Sequence, residues 1–218
     1  GYIYCYPGSY TAYLRGTVPA GKKEFAIKGS IPEPALFAAQ SLDGILKNSG
    51  IKISRTARLS GKQCRGGKVV AETISPELKN IVKVVNKRSY NFYAEMLLRA
   101  IAVKNGLPGS IEEGNRALID FLAKKGIDIS GIRLFDACGL SKGDAVRPET
   151  FTDLLTYASK AKWFSSYYDS LVYPGDAAAT GHIKKFGVGT RLEKNMRIKS
   201  GSLNGVRSYC GYMKGKSG

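Results

Sequence analysis

The segment from Met196 to Met213 constrains this chain most, because two alternating stretches flank Leu203-Asn204-Gly205. Alternation with period two places successive side chains on opposite faces of a strand. Asn-Gly between two such stretches supplies the positive φ angles of a tight turn, so the pattern predicts a β-hairpin. The first arm carries Arg197-Ile198-Lys199-Ser200-Gly201-Ser202, which puts a lysine and two hydroxyls on one strand.

Upstream the pattern becomes helical. Pro32 and Pro34 open a predicted helix over 35–48, with Leu36, Ala39, Leu42 (or Asp43) and Ile45-Leu46 on one stripe. Ser75-Pro76 reads as a helix start, with Ser as N-cap and Pro at the first helical position, and Leu78, Ile81, Val82 and Val85 form the apolar face. A second helix is expected from Asn91 to Lys104. Ser110-Ile111-Glu112-Glu113 fits a capping box for a third that ends near Gly126, and Arg147-Pro148 starts a fourth. Tyr10–Val18, Glu24–Ile27 and short stretches within 51–74 read as strands. The expected division is residues 1–75, β-rich with one helix, and residues 76–218, mostly helical and closed by the hairpin.

The formal net charge is +17 over 218 residues. Such an excess can mark a nucleic-acid binder, because Lys and Arg neutralise phosphates. Here the basic residues are spread along the chain in short pairs such as Lys22-Lys23, Lys124-Lys125 and Lys184-Lys185, without a long basic arm or a zinc-finger motif. A solvated basic surface suited to an anionic polymer is the better reading. Cys5, Cys64, Cys138 and Cys210 are far apart and form no Cys-x-x-Cys, so a structural zinc site is not expected; Cys138 and Cys210 read as small buried residues. No apolar run approaches the roughly 20 residues that span a bilayer, and no secretory signal opens the chain.

Taken singly, the candidate residues have plain structural readings. Ser89 would cap the helix that follows it, and Lys199 would be a solvated strand residue. Arg197 adds positive potential or faces solvent, Asp136 and Asp176 order loops, and His182, the sole histidine, is structural.

Together they carry more. Ser89-Tyr90-Asn91 is a Ser-x-Asn, and Lys199-Ser200-Gly201 is a Lys-Ser-Gly on a strand entering a turn; these are two of the three motifs of penicillin-binding serine acyl enzymes. Four ordered segments resemble the D-alanyl-D-alanine carboxypeptidase/endopeptidases, the class C low-molecular-mass penicillin-binding proteins: Asn86 to Glu95, Asp136-Ala137-Cys138-Gly139-Leu140-Ser141, Pro174-Gly175-Asp176 through Lys184, and Arg197 to Tyr212. A second Lys-Ser-Gly, Lys216-Ser217-Gly218, is read as a chance repeat. The resemblance implies an α/β (α+β) fold, with helices packed on an antiparallel sheet as in serine β-lactamases, and residues 1–75 as part of an inserted accessory domain. It implies a serine peptidase acting on peptidoglycan peptides that end in D-Ala-D-Ala, open to β-lactams, in the periplasm or cell envelope, with no cofactor, no metal and no nucleic acid. By the same resemblance Lys199 and Ser200 meet the substrate carboxylate, Gly201 admits it to the backbone, and the Ser202 N–H serves the oxyanion. Ser89 relays a proton to the leaving D-Ala, and Asn91 orients a substrate amide and the general-base lysine.

The third motif, Ser-x-x-Lys with the nucleophile, should precede the Ser-x-Asn. The chain offers Ser49-Gly50-Ile51-Lys52 and Ser159-Lys160-Ala161-Lys162, neither in the right order and position. The expectation is therefore a C-terminal-side portion of a longer enzyme, unable to be acylated by itself. The alternatives are a non-catalytic peptidoglycan-binding relative and a basic nucleic-acid-binding domain.

Overall fold

The computed structural model describes residues 2–6, 9–21, 23–27, 29–61 and 66–215. Gly1, Lys22, Cys64 and the Lys216-Ser217-Gly218 repeat lie outside the described residues. The chain divides into two compact units, Gly1–Glu72 and Thr73–Gly218. No helix among the described residues is long and apolar enough to cross a membrane.

In the first unit, β1 (Tyr2–Cys5) pairs antiparallel with β2 (Ala12–Arg15), the centre of the predicted Tyr10–Val18 strand. Helix α1 (Pro34–Asn48) starts on its proline, as expected. Its inward stripe runs through Leu36, Ala39, Asp43 and Leu46, whereas Leu42 and Ile45 are exposed. Asp43 tolerates that position because Lys47, one turn later, reaches its carboxylate at 2.7 Å. Glu24–Ile27 and the described part of 51–74 form no strand. Strand propensity is realised through paired neighbours and burial, and Val69, Val70 and Ile74 are largely exposed.

In the second unit, α2 (Leu78–Arg88) begins after Glu77, not at Ser75-Pro76, and without a side-chain cap. Helices α3 (Asn91–Lys104), α4 (Ile111–Lys124) and α5 (Pro148–Ser159) match their sequence signals. Ser110 Oγ accepts the Glu113 N–H at 3.2 Å, one half of the capping box; the Glu113 carboxylate pairs with Arg116 instead of completing the other half. Helix α6 (Phe164–Ser170), a 3₁₀ turn at His182–Lys185 and the single turn α7 (Leu192–Asn195) were not legible as periodic segments. They are too short to display an amphipathic repeat.

The hairpin is β3 (Met196–Leu203) and β4 (Val206–Met213), in register from Met196 opposite Met213 to Leu203 opposite Val206. Only Gly205, with φ +83°, takes a positive φ in its turn; Asn204 does not. Buried Met196 and Ile198 project from one face of β3 into a small core with Val172, Ala179 and Ile183. Tyr212 pins the far end of β4: its hydroxyl donates to the Leu155 carbonyl at 2.9 Å, and its ring packs against Phe164, Tyr167 and Tyr168.

Gly211 sits opposite Ile198 at the tightest point of the pair, where a Cβ would lie 2.1 Å from the Arg197 carbonyl oxygen and 2.7 Å from Ile198 Cα. Backbone cannot yield as a flexible side chain can. Gly211→Ala should therefore lower unfolding free energy by about 2 kcal/mol or more in urea titration; an unchanged midpoint would show that the hairpin is looser than this register.

Candidate active site

Helix α2 stops abruptly. Ser89, its C-cap residue, adopts φ +50° and ψ +52°, the left-handed region, and is the one described non-glycine residue with positive φ. That conformation brings a side chain too close to the following carbonyl and costs roughly 1–2 kcal/mol. It also turns the chain straight into α3, which opens two residues later at Asn91 behind an uncapped Tyr90. Ser89 therefore does not cap the following helix. Its Oγ instead accepts a hydrogen bond from Lys199 Nζ at 2.9 Å, joining positions 110 residues apart.

Lys199 reaches that point because β3 is held on both edges at Ile198. Ile198 donates to the Val172 carbonyl at 2.9 Å and accepts the Val172 N–H at 3.0 Å. Its backbone polar groups therefore face away from β4. Antiparallel alternation gives the N–H and C=O groups of Ser200 and Ser202 the same orientation, along the edge beyond Val172. The half-buried Lys199 also donates to the Ser200 carbonyl. Burial draws its ammonium below the ordinary lysine range, and the facing Cys210 thiol opposes that shift weakly. Burial pushes the Cys210 thiol up, while Lys199 pulls it the other way. Gly201 lies opposite Ser208, whose Oγ would be 2.6 Å from an added Cβ, so the glycine keeps this stretch narrow. Asn91 occupies the first position of α3 with an exposed side chain, and Ser202 is exposed on β3.

Three further residues acquire definite surroundings. Arg197 does not simply face solvent: its guanidinium lies 4.5 Å from the Tyr173 ring centroid and 5.5 Å from that of Tyr168. His182 shares a hydrogen bond of 3.1 Å with the Tyr209 hydroxyl. Asp136 accepts the N–H groups of Gly139, Leu140 and Ser141 and so orders its loop. Glu95 accepts those of Ala137 and Cys138. Glu95, Asp136 and Cys138 come close enough to face one cation. Both oxygens of Asp136 and Glu95 Oε1 accept backbone N–H groups, Glu95 Oε2 is buried without a hydrogen-bond partner, and burial first, then Glu95, pushes the Cys138 thiol up to about 11. Cys138 and Cys210 are half-buried, not fully buried as expected, and with Cys5 they are free thiols.

Neither Ser-x-x-Lys in the chain has the geometry of a nucleophile. Helix α5 ends at Ser159, so Lys162 lies beyond the helix, and the Ser159 hydroxyl donates to the Thr156 carbonyl. Ser49 follows the end of α1 and donates to the Ile45 carbonyl. A serine–lysine pair needs both side chains on one helical turn.

What sequence reasoning missed is Lys87. It is 6% exposed, donates to the Leu171 carbonyl at 3.1 Å and forms an ion pair with Asp176, itself 3% exposed. Asp176 thus does more than order its loop, although it also accepts the Ala178 N–H at 2.9 Å. The signal was present: Lys87 falls three residues after Val84, on the inward stripe of α2.

The profile of the D-Ala-D-Ala carboxypeptidase 3 (S13) family matches residues 6–218. The chain belongs to this family. Among its relatives are a D-alanyl-D-alanine carboxypeptidase of Actinomadura sp. (strain R39), 29% identical over 215 residues, covering 97% of this chain and 40% of the relative. The D-alanyl-D-alanine carboxypeptidase DacB of Haemophilus influenzae is 28% identical over 203 residues, covering 92% and 42%. The crystal structure of penicillin-binding protein 4 from Haemophilus influenzae, complexed with a β-lactam, superposes with a TM-score of 0.74 at 29% identity, over 83% of this chain and 42% of that one. The expected penicillin-binding α/β fold is therefore the fold of this S13 chain, which spans about two fifths of the length of these relatives.

If Ser89 is strained to keep its hydroxyl against Lys199, glycine should relieve the backbone. Ser89→Gly is expected to unfold at an equal or higher urea concentration, gaining up to about 1 kcal/mol. A clear loss of stability would mean that the hydroxyl contact outweighs the strain.

Proposed function

We propose that the protein carrying this chain is a serine-type D-Ala-D-Ala carboxypeptidase/endopeptidase acting on peptidoglycan stem peptides, and that residues 73–218 supply two walls of its cleft. The observation that carries this reading is the 2.9 Å contact between Lys199 Nζ and Ser89 Oγ, which unites the Lys-Ser-Gly and Ser-x-Asn motifs. Family membership supports it, as do the relatives' names. Residues 1–75 are proposed as part of an accessory domain, and the working place as the cell envelope, where that substrate is found.

The roles follow from the chemistry. A charged Lys199 beside the Ser200 hydroxyl suits the substrate's terminal carboxylate, with charge-assisted hydrogen bonds strengthened by partial burial. The Ser202 N–H, on the strand edge turned away from β4, serves as a donor to the oxyanion that forms on the scissile carbonyl. Ser89 accepts a hydrogen bond from an ammonium, which leaves its own O–H free and polarised to donate to the departing amine nitrogen. Asn91, at the first position of α3, holds a substrate amide. Attack by the serine of a Ser-x-x-Lys forms an ester and releases D-Ala; water then cleaves the ester, restoring the serine and freeing the shortened peptide. A β-lactam presents a comparable carboxylate and carbonyl, so the same groups would bind it.

The direct test is intact mass after incubation with a penicillin, made on the protein expressed from the complete gene and on residues 1–218. A covalent adduct on the former, at a serine other than Ser49 and Ser159, is expected, with none on the latter. No adduct on either would favour a peptidoglycan-binding protein without catalysis, and steeply salt-dependent DNA affinity would favour the nucleic-acid reading.

Lys199 also sets a pH signature. Because burial lowers its folded pKa, the ammonium is lost below the ordinary lysine value of about 10.4, and carboxylate binding is lost with it. The acylation rate should therefore fall on the alkaline side with a midpoint below that value. In Lys199→Arg, which stays charged, that limb should vanish from stopped-flow profiles; a limb unmoved by the substitution would assign it to another group.

A further inference from the structure

Two of the motif segments, Asn86 to Glu95 and Pro174 through Lys184, have no chemistry of their own beyond Ser89 and Asn91, yet the structure joins them at one buried point. Lys87 Nζ reaches Asp176 and the Leu171 carbonyl. The Lys87 carbonyl accepts the Thr180 N–H at 3.1 Å, and the Arg88 carbonyl accepts the Thr180 hydroxyl at 3.2 Å. Asn86 donates to the Ser170 hydroxyl at 2.7 Å. Three successive residues before Ser89 are thus fastened to segment 170–180. That segment also holds β3, through the paired hydrogen bonds between Val172 and Ile198, the residue before Lys199. Tyr173 repeats the link: Lys87 Nζ lies 5.0 Å from its ring centroid and the Arg197 guanidinium 4.5 Å.

We infer that the Lys87–Asp176 ion pair is a positioning device that sets the Ser89 hydroxyl against Lys199. The inference rests on the proposed roles of those two residues. Segment 170–180 is a splint between the end of α2 and β3, and the ion pair is its pin. Hydrophobic contact tolerates sliding, whereas an ammonium held by a carboxylate and a carbonyl is fixed in direction. The residue it holds in place is two positions from the strained Ser89, where a small rotation of the helix end would carry Oγ out of reach. Lys87 and Asp176 act through other residues and touch no substrate, so they are positioning residues.

The test separates geometry from stability. Lys87→Met by itself leaves a buried unpaired carboxylate and can fail to fold, whereas the double variant K87M/D176L removes both charges and commonly keeps stability. In the protein expressed from the complete gene, K87M/D176L should slow penicillin acylation at least tenfold. Placed in a Ser89→Ala background it should slow it less than threefold further, because the hydroxyl it positions is already gone. Equal effects in both backgrounds, or acylation within threefold of the parent, would overturn the inference. If the parent is not acylated at all, the proposed function fails, and the crystal structure of K87M/D176L decides the inference separately. A separation between Lys199 Nζ and Ser89 Oγ beyond about 3.5 Å supports it, and retention of the contact overturns it.

Discussion

Everything at the candidate site depends on strand β3 being held from both sides at a single residue. Ile198 is opposed by Gly211 on β4 and exchanges two backbone hydrogen bonds with Val172 on its other edge. A two-stranded hairpin alone is marginal in water. Here the backbone pairing, the buried side chains of Met196 and Ile198 beneath it, and the Tyr212 anchor at its end fix the hairpin to the helices. Beyond Val172 the edge of β3 continues without that bridge, and this is where Ser200 and Ser202 present their backbone groups. A strand edge is normally a hazard; in the proposed function it is the edge along which an extended peptide would pair.

The same region carries its strain locally. Ser89 is the described non-glycine residue with positive φ, and it makes the longest-range side-chain contact of the site. A relaxed α2 terminus would use glycine there, as Gly126 does just after α4 with φ +72°. Retaining a hydroxyl in a glycine conformation is what is expected where stability has been exchanged for placement. The surrounding structure enforces it: buried Lys87, Thr180 bound to two carbonyls of the last turn, and the immediate start of α3 leave the backbone few other paths.

The positive charge of the chain is also used unevenly. Most of the basic residues are solvated, but Lys87, Arg197 and Lys199 are drawn inward by a carboxylate, by tyrosine rings and by a serine hydroxyl respectively. Each lies near β3 or the end of α2. The solvated charges act at long range and are screened by salt, while these inward cations act at bonding distance, where low dielectric strengthens them.

What the sequence determined alone was the set of local elements and the family. The hairpin register followed from alternation around Asn204-Gly205, the helix starts at Pro34, Ser110 and Pro148 from capping chemistry, and the Ser-x-Asn and Lys-Ser-Gly from their order along the chain. It misplaced what depends on partners: the strands expected at Glu24–Ile27 and in the described part of 51–74, the burial of Cys138 and Cys210, and the start of α2. It also read Ser89 as open to a capping role. Only the tertiary structure decided that Ser89 meets Lys199, that Asp176 holds Lys87, and which edge of β3 lies open. The physical reason is separation. Turns, caps and periodicity are set by neighbours within about four residues, whereas these contacts join positions some 90 to 110 residues apart, and they exist only once segment 170–180 has packed between α2 and β3.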